Sequence, residues 1–153
     1  MSIIIERFEK IKSNISKVSK NKVNIVAVSK TFSLDHIMPL VEYGHTHFGE
    51  NKVQEAAAKW SQIKKKKSNV KLHMIGKLQS NKAKKAVEIF DYIHSVDSQK
   101  LANTLSKCQN DLNKSLNYFI QVNLGNEQQK SGIPYNEVDE FYSYCTKEIK
   151  MNV

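Results

Sequence analysis

Residues 69–96, "NVKLHMIGKLQSNKAKKAVEIFDYIHSV", form the segment that decides the fold. A mainly apolar run at 69–76 is typical of a strand, residues 79–90 are typical of a helix, and residues 91–96 are typical of a second strand. Two strands joined through a helix are parallel neighbours with a right-handed crossover. This segment therefore predicts an α/β domain built on a parallel sheet.

The same alternation extends along the rest of the chain. A stripe of apolar residues predicts an opening amphipathic helix, with Ile4, Phe8, Ile11, Ile15 and Val18 on one side. Strands are predicted at 23–29, 45–50, 69–76, 91–96 and 116–125, and helices at 33–44, 51–67, 79–90, 97–113 and 134–149. Five strand–helix units are compatible with an open doubly wound sheet or with a βα barrel.

Polar residues cluster where each predicted strand ends. They are Lys30, Glu50, Asn51, Gly76, Lys77, Ser95, Asp97 and Asn123. In both candidate folds the carboxyl ends of the strands form the edge at which ligands bind. The sequence therefore predicts one functional face at that edge.

The amino-acid composition excludes few classes of function. The chain has 153 residues, 40% of them hydrophobic, which is enough for one globular domain. Lys and Arg outnumber Asp and Glu by 24 to 15, giving a net charge of +9. Arg7 is the only arginine, whereas proteins that read bases or clamp phosphates use arginine freely. Nucleic-acid binding is therefore not expected.

The cysteines and the N-terminus predict a cytoplasmic, soluble protein. Cys108 and Cys145 lack the spacing of a zinc site or a disulfide framework, so a reducing compartment is expected. His45 and His47 alternate in a short strand, but a third metal ligand at a suitable spacing is missing. The apolar start at Ile3 soon carries charges and is too short for a signal peptide or a membrane span.

Lys30 ends the first strand, "VNIVAVSK" (23–30), and is the most reactive candidate. Its aliphatic stem suits a sheet wall, and burial would push its amine toward the neutral, nucleophilic form that condenses with aldehydes. The alternative is a lysine that reaches solvent at a strand end. The stretch alone leaves both open.

Five successive motifs resemble the pyridoxal phosphate homeostasis protein family: "AVSKT", "FGENKVQE", "LHMIGKLQSNK", "HSVDS" and "QVNLGNEQQKSGI". The resemblance runs from about residue 3 to the last residue. It implies a partial (βα)8 TIM-type barrel of the alanine racemase N-terminal type, with five to six βα units after an N-terminal helix. It also implies pyridoxal 5′-phosphate as the cofactor, held as a Schiff base on Lys30.

The resemblance and the barrel geometry imply further cofactor contacts. Asn51 matches a residue that faces the cofactor, although it could equally cap the following helix. Ile75 is expected to line the barrel near the cofactor ring, and His73, which shares its strand parity, to point the same way one layer deeper. The alternative for His73 is a satisfied core histidine. Ser95 and Asn123 are expected to face the cofactor ring from the fourth and fifth strands.

The chain departs from the family in length. A barrel of this type needs about eight strands and more than 200 residues, whereas this sequence ends where a sixth strand is expected. Residues 1–153 are therefore predicted to form a single incomplete cofactor-binding barrel domain, without the segment that cradles the cofactor phosphate. Its exposed edges are expected to favour association, and its hold on the cofactor to be weak.

The resemblance implies a carrier or buffer of pyridoxal phosphate, not an enzyme, with cofactor-dependent apoenzymes as recipients. The alternative is a racemase-like or decarboxylase-like enzyme that uses the same cofactor as an electron sink. It would need a general base opposite Lys30, and the sequence offers no convincing one. A basic RNA-binding module is a distant third, because clustered aromatics for base stacking are missing.

Overall fold

The structure, a computed structural model, describes residues 2–125 and 127–153. It confirms the predicted alternation of strands and helices. In chain order the elements are α1 (Ile3–Val18), β1 (Ala27–Val28), α2 (Leu34–Glu42), β2 (His47–Glu50), α3 (Val53–Lys66), β3 (Lys71–Met74), α4 (Ala83–Ile89), β4 (Tyr92–Val96), α5 (Gln99–Asp111), β5 (Asn117–Ile120), β6 (Val122–Asn123), β7 (Ile133–Pro134) and α6 (Val138–Ser143). Short 3-10 turns occupy Ser80–Lys82 and Tyr135–Glu137, and a π-helical turn occupies Tyr144–Glu148.

The main sheet decides between the two predicted architectures. Its five strands are all parallel and lie in the order β1–β2–β3–β4–β5. A doubly wound sheet reverses its strand order at a switch point, whereas a barrel wall adds strands in sequence. Asn152 forms a parallel bridge to Asn117, and the Tyr118 N–H donates to the Asn152 carbonyl at 2.8 Å. Asn152 therefore marks the start of a further parallel strand of the main sheet, beside β5, and the main sheet is part of a βα barrel.

The hydrophobic core lies between the helices and the outer face of the sheet. Trp60 of α3 is fully buried and packs on Phe48 of β2, with ring centroids 4.8 Å apart. Leu72, Ile93 and Tyr118 continue this layer across β3, β4 and β5. Each such side chain contributes about 1.5–3 kcal/mol of hydrophobic stabilisation. The outer face of the sheet is therefore covered by the helices.

Helix α1 packs with only part of its predicted stripe. Ile4 and Phe8 are partly buried against the core, whereas Ile11 and Val18 are exposed. The amphipathic helix is confirmed, but its second half has no apolar neighbour among the described residues to cover it.

The first and fifth strands differ from their predicted form. β1 has two residues instead of the predicted seven, and Val28 is 48% exposed instead of covered on both faces. The reason is that β1 pairs only with β2 and its inner face is open. The predicted strand 116–125 divides at Gln121, because the Gln121 carbonyl accepts from Ile133 N–H and β6 pairs with β7 instead of the main sheet.

The inner face of the sheet, opposite the helices, is largely open. A Cβ placed on Gly49 would lie 3.2 Å from the side chains of both Ile75 and Val26, which puts these three positions together on that face. Val28 and Phe119 are half-exposed there. In a closed barrel this face is a packed interior, so five strands leave it accessible.

A row of three hydrogen-bonded histidines crosses the inner face. His47 Nδ1 lies 2.8 Å from His73 Nε2, and His73 Nδ1 lies 2.9 Å from His94 Nε2. The His73 ring stacks on Tyr92 with centroids 4.2 Å apart, and Phe119 stacks on His94. Burial, reinforced by the two neighbouring imidazoles, lowers the pKa of His73 to about 4. The row is therefore neutral at neutral pH, with one nitrogen donating and one accepting at each link.

Acidification is expected to destabilise the fold through this row. The pKa of His73 is about 4 when folded and near its ordinary 6.5 when unfolded, so the unfolded chain binds more protons between these values. Stability is lost as pH falls from 6.5 toward 4, by up to about 3 kcal/mol. Urea denaturation at pH 7 and pH 4.5 measures it. His73→Phe, which keeps an aromatic ring beside Tyr92, should reduce the loss, and the exposed His36→Gln should not. An equal acid loss in both variants would contradict the assignment.

Gly76, directly after β3, packs against the backbone of Asn51. A Cβ at this position would collide with the Asn51 carbonyl oxygen and lie 2.9 Å from its Cα and Cβ. Because backbone atoms cannot rotate away, Gly76→Ala is expected to lower the free energy of unfolding by about 2–3 kcal/mol. The control is Gly125→Ala, whose Cβ would meet only the flexible Glu127 side chain at 3.2 Å. Similar denaturation midpoints for the two variants would refute this close packing.

Candidate functional site

The carboxyl ends of the strands carry the polar face predicted from the sequence. A cleft of about 520 Å³ lies beyond β2 and β3, between Asn51, Met74 and Lys77. A second cleft of about 660 Å³ lies beyond β3 and β4 and is bounded by the loop 128–132. Open space for a ligand therefore exists at this edge.

Lys30 lies just beyond the paired part of β1. The Ser29 N–H donates to the Gly49 carbonyl at 2.9 Å, and Phe32 N–H donates to the Ser29 carbonyl at 3.2 Å, which closes a turn around Lys30. Thr31 has a left-handed backbone with φ of 67°. Ser29 points toward the helix side, so strand alternation assigns Lys30 to the inner face. This edge is where a ligand-binding lysine was predicted.

The structure bears on the two interpretations of Lys30 that the sequence left open. The Lys30 side chain is exposed, and it makes no hydrogen bond or ion pair with any residue in 2–125 or 127–153. The physical reason is that β1 is an edge strand within the described residues, so no second neighbouring strand covers the amine on that side. Of the two interpretations left open by the sequence, a lysine that reaches solvent describes this chain better.

Behind Lys30, on the helix side, a buried carboxylate collects three donors. Glu50 is 0% exposed, and its Oε1 accepts from Ser29 Oγ at 2.7 Å, Lys59 Nζ at 2.9 Å and Trp60 Nε1 at 2.9 Å. From the sequence, Glu50 is only one of several polar residues at strand ends. The available signals were its position after an apolar strand and Lys59, which lies six residues after the first residue of α3 and precedes Trp60.

Asn51 and Ser95 each present a buried oxygen that lacks a partner among the described residues. These atoms are Asn51 Oδ1 and Ser95 Oγ. Asn51 does not cap α3, because the residue at the N-cap is Lys52. In β4, Ile93 pairs with Tyr118 and Val96 with Ile120. His94 and Ser95 therefore oppose one residue of β5 in a bulge, which interrupts the regular alternation of side chains at Ser95.

An unpaired buried oxygen costs about 1–3 kcal/mol, and a polar ligand can remove that cost. Glu50 Oε2, on the helix side, is a third buried oxygen without a partner among the described residues, so an unpaired oxygen does not by itself mark a ligand site. The oxygens of Asn51 and Ser95 differ from it in following β2 and lying in β4, near the carboxyl edge. An aromatic cofactor with one ring hydroxyl group and a ring nitrogen offers donors of the kind they could accept from, so these two residues fit such a group. The predicted roles of Asn51 and Ser95 as cofactor contacts stay predictions.

The other predicted contacts are engaged elsewhere or lie at the edge of the site. Both ring nitrogens of His73 are used by neighbouring histidines, so neither is free for a cofactor. Ile75 is partly buried, and its N–H donates to the Glu50 carbonyl at 2.9 Å, beside Asn51. Asn123 Nδ2 donates to the Glu127 carbonyl at 2.9 Å and therefore holds its own loop. Roles for these three as cofactor contacts also stay predictions.

Two further searches cover only the described part of the chain. No group of three or more His, Cys, Asp and Glu side chains within it is arranged to hold a metal ion. No helix within it combines the length and apolar character needed to cross a membrane.

Solved structures share this fold. PipY of Synechococcus elongatus without pyridoxal phosphate is 37% identical, with a TM-score of 0.80 over 91% of this chain and 64% of that chain. PipY with pyridoxal phosphate bound is 38% identical, with a TM-score of 0.73 over 87% of this chain and 62% of that one. Alanine racemase of Clostridium difficile, 11% identical with a TM-score of 0.67, shows the fold alone.

Curated relatives and a family model agree with these structures. The pyridoxal phosphate homeostasis protein of Pasteurella multocida is 39% identical over 123 residues, or 80% of this chain and 53% of that protein. That of Escherichia coli K12 is 36% identical over the same length and shares. The chain thus spans about half the length of the curated relatives it matches. The model for "Alanine racemase, N-terminal domain" matches residues 7–153. The chain therefore belongs to the alanine racemase N-terminal domain family, and its predicted resemblance to the pyridoxal phosphate homeostasis proteins is confirmed.

Proposed function

We propose that this chain binds pyridoxal 5′-phosphate through Lys30 and serves as a carrier or buffer in intracellular homeostasis of that cofactor. The observation that carries the proposal is the position of Lys30 at the carboxyl end of β1, on the edge that also holds the unpaired oxygens of Asn51 and Ser95. The names of the relatives and the cofactor bound in PipY support it.

The cofactor supplies an aldehyde, which condenses with a primary amine with loss of one water molecule. Lys30 provides that amine from a turn, with its side chain exposed to incoming ligand. Asn51 Oδ1 and Ser95 Oγ would each accept a hydrogen bond from a ligand that reaches them. Ile75 offers an apolar surface on the same face as Gly49. We expect a weak, reversible complex, because the inner face is open to water.

A binding role is favoured over catalysis because neither His73 nor Glu50 is available as a base. A racemase-like reaction needs a group that moves a proton at the substrate α-carbon. His73 has both nitrogens hydrogen-bonded and a pKa of about 4. Glu50 lies on the helix side, bound to Lys59 and Trp60. The racemase-like enzyme stays the second candidate, supported by the shared fold.

Partners beyond the cofactor are part of the proposal. Apoenzymes that need pyridoxal phosphate would be the recipients, and a cytoplasmic location suits the two free thiols of Cys108 and Cys145. Residues 1–153 act as one barrel-type domain, and the edge of β1, which is unpaired among the described residues, and the inner face of the sheet allow association with other chains. The exposed Val28 and Phe119 on that face favour such contacts.

Reductive labelling tests the attachment point. Pyridoxal phosphate is added, borohydride fixes any amine adduct, and peptide mass spectrometry locates it. We expect labelling concentrated on Lys30 and reduced about tenfold in total when Lys30→Ala removes the nucleophile. Lys107→Ala, which removes an exposed lysine of α5 that borders neither cleft, is the matched control and should label normally. Labelling spread evenly over surface lysines would refute the proposal. A complex that survives desalting before reduction would contradict the expected weak hold.

Solvent exchange separates the carrier from the enzyme. The chain, pyridoxal phosphate and L-alanine are incubated in deuterated water, and proton NMR follows the α-proton. A carrier exchanges it no faster than the same concentration of free pyridoxal phosphate. Exchange at catalytic rates that disappears in Lys30→Ala would establish the enzyme instead.

A further inference from the structure

The backbone around Lys30 is held by few sheet contacts. β1 pairs with β2 at only two positions, Ala27 with Phe48 and Val28 with Gly49. Lys30 lies two residues beyond the second pair, in a turn that includes the left-handed Thr31. β1 has no second neighbouring strand among the described residues. An edge strand of this length would fray readily, so another interaction must hold the turn in place.

Ser29, the residue before Lys30, supplies that interaction with each of its polar groups. Its N–H donates to the Gly49 carbonyl at 2.9 Å, and its Oγ donates to Glu50 Oε1 at 2.7 Å. Its carbonyl accepts from Lys59 Nζ at 2.9 Å. Lys59 also binds Glu50 Oε1 at 2.9 Å, which closes a triangle between the end of β1, the end of β2 and α3.

The triangle is shielded from water. The Glu50 side chain is 0% exposed and that of Lys59 is 13% exposed. Trp60 Nε1, which is fully buried, gives Glu50 Oε1 a third donor at 2.9 Å and so fixes its rotamer. Charge-assisted hydrogen bonds are stronger in such surroundings than at the surface. Removing one partner leaves an uncompensated buried charge.

We propose that Glu50 and Lys59 are positioning residues for Lys30, acting through Ser29 as one clamp; this inference rests on the proposed function. We call Ser29, Glu50 and Lys59 the Ser29 clamp. Glu50 immediately precedes Asn51, so the same carboxylate pins both chain segments that carry candidate cofactor contacts. The clamp lies on the helix side of the sheet and Lys30 on the inner face. The clamp therefore fixes the position of the Lys30 amine without contacting the ligand.

The chain offers a matched control in the same helix. Lys64 of α3 bonds Asp91 Oδ2 at 2.6 Å and the Ile89 carbonyl at 2.9 Å, and its side chain is 22% exposed. This pair has the same composition as the clamp, a lysine shared between a carboxylate and a carbonyl. It lies at the amino end of β4, opposite the functional edge. Lys64→Met therefore reproduces the loss of a half-buried ion pair without disturbing Lys30.

The test compares Lys59→Met with Lys64→Met in two measurements. Amide hydrogen exchange of residues 29–32, without any ligand, should accelerate about tenfold in Lys59→Met and stay near the unaltered chain in Lys64→Met. The rate of borohydride-trapped labelling of Lys30 by pyridoxal phosphate should fall about tenfold in Lys59→Met only. Ser29→Ala, which removes one hydroxyl and is expected to fold, should show the same effects to a smaller degree.

Equal changes in the two lysine variants would overturn the clamp, because only general destabilisation would then be at work. Unchanged exchange at 29–32 in both Lys59→Met and Ser29→Ala would overturn it as well. If the unaltered chain shows no selective labelling of Lys30, the proposed function fails. In that case, the amide hydrogen exchange of residues 29–32 still shows whether the Ser29 clamp holds the turn around Lys30.

Discussion

The parallel pairing of β1 with β2 is the constraint on which the candidate site depends. It brings the ends of both strands to one edge, so that Lys30 and Asn51 come from neighbouring strands. Because the ladder has only two residue pairs, Ser29, Glu50 and Lys59 contribute much of the order at that edge. The buried ion pair between Glu50 and Lys59 on the helix side thus helps to hold the backbone that carries Lys30.

The order of the strands could be predicted because strand and helix patterns are local. Residues 69–96 display a complete strand–helix–strand unit, and the structure reproduces it as β3, α4 and β4. The choice between a doubly wound sheet and a barrel needed the pairing order, which apolar patterns do not encode. The family resemblance, based on motifs such as "FGENKVQE", predicted the barrel without any information on strand pairing.

Features that depend on contacts between residues far apart in the chain could not be predicted from the sequence. The bulge at His94 and Ser95 arises from the pairing of β4 with β5, and the histidine row joins residues on three strands. The exposure of Lys30 depends on how many strands surround it, whereas its apolar approach, residues 23–28, suggested burial. Glu50 was visible at a strand end, but its role required the contact with Ser29, 21 residues away.

An open inner face also shapes the functional account. An exposed amine is accessible to an aldehyde and equally accessible to water. A crystal structure of the chain soaked with pyridoxal phosphate tests this most directly. The account predicts electron density continuous with Lys30 Nζ at the carboxyl edge, within hydrogen-bonding distance of Asn51. Density attached to another lysine, or a Lys30 side chain turned away from the inner face, would contradict it.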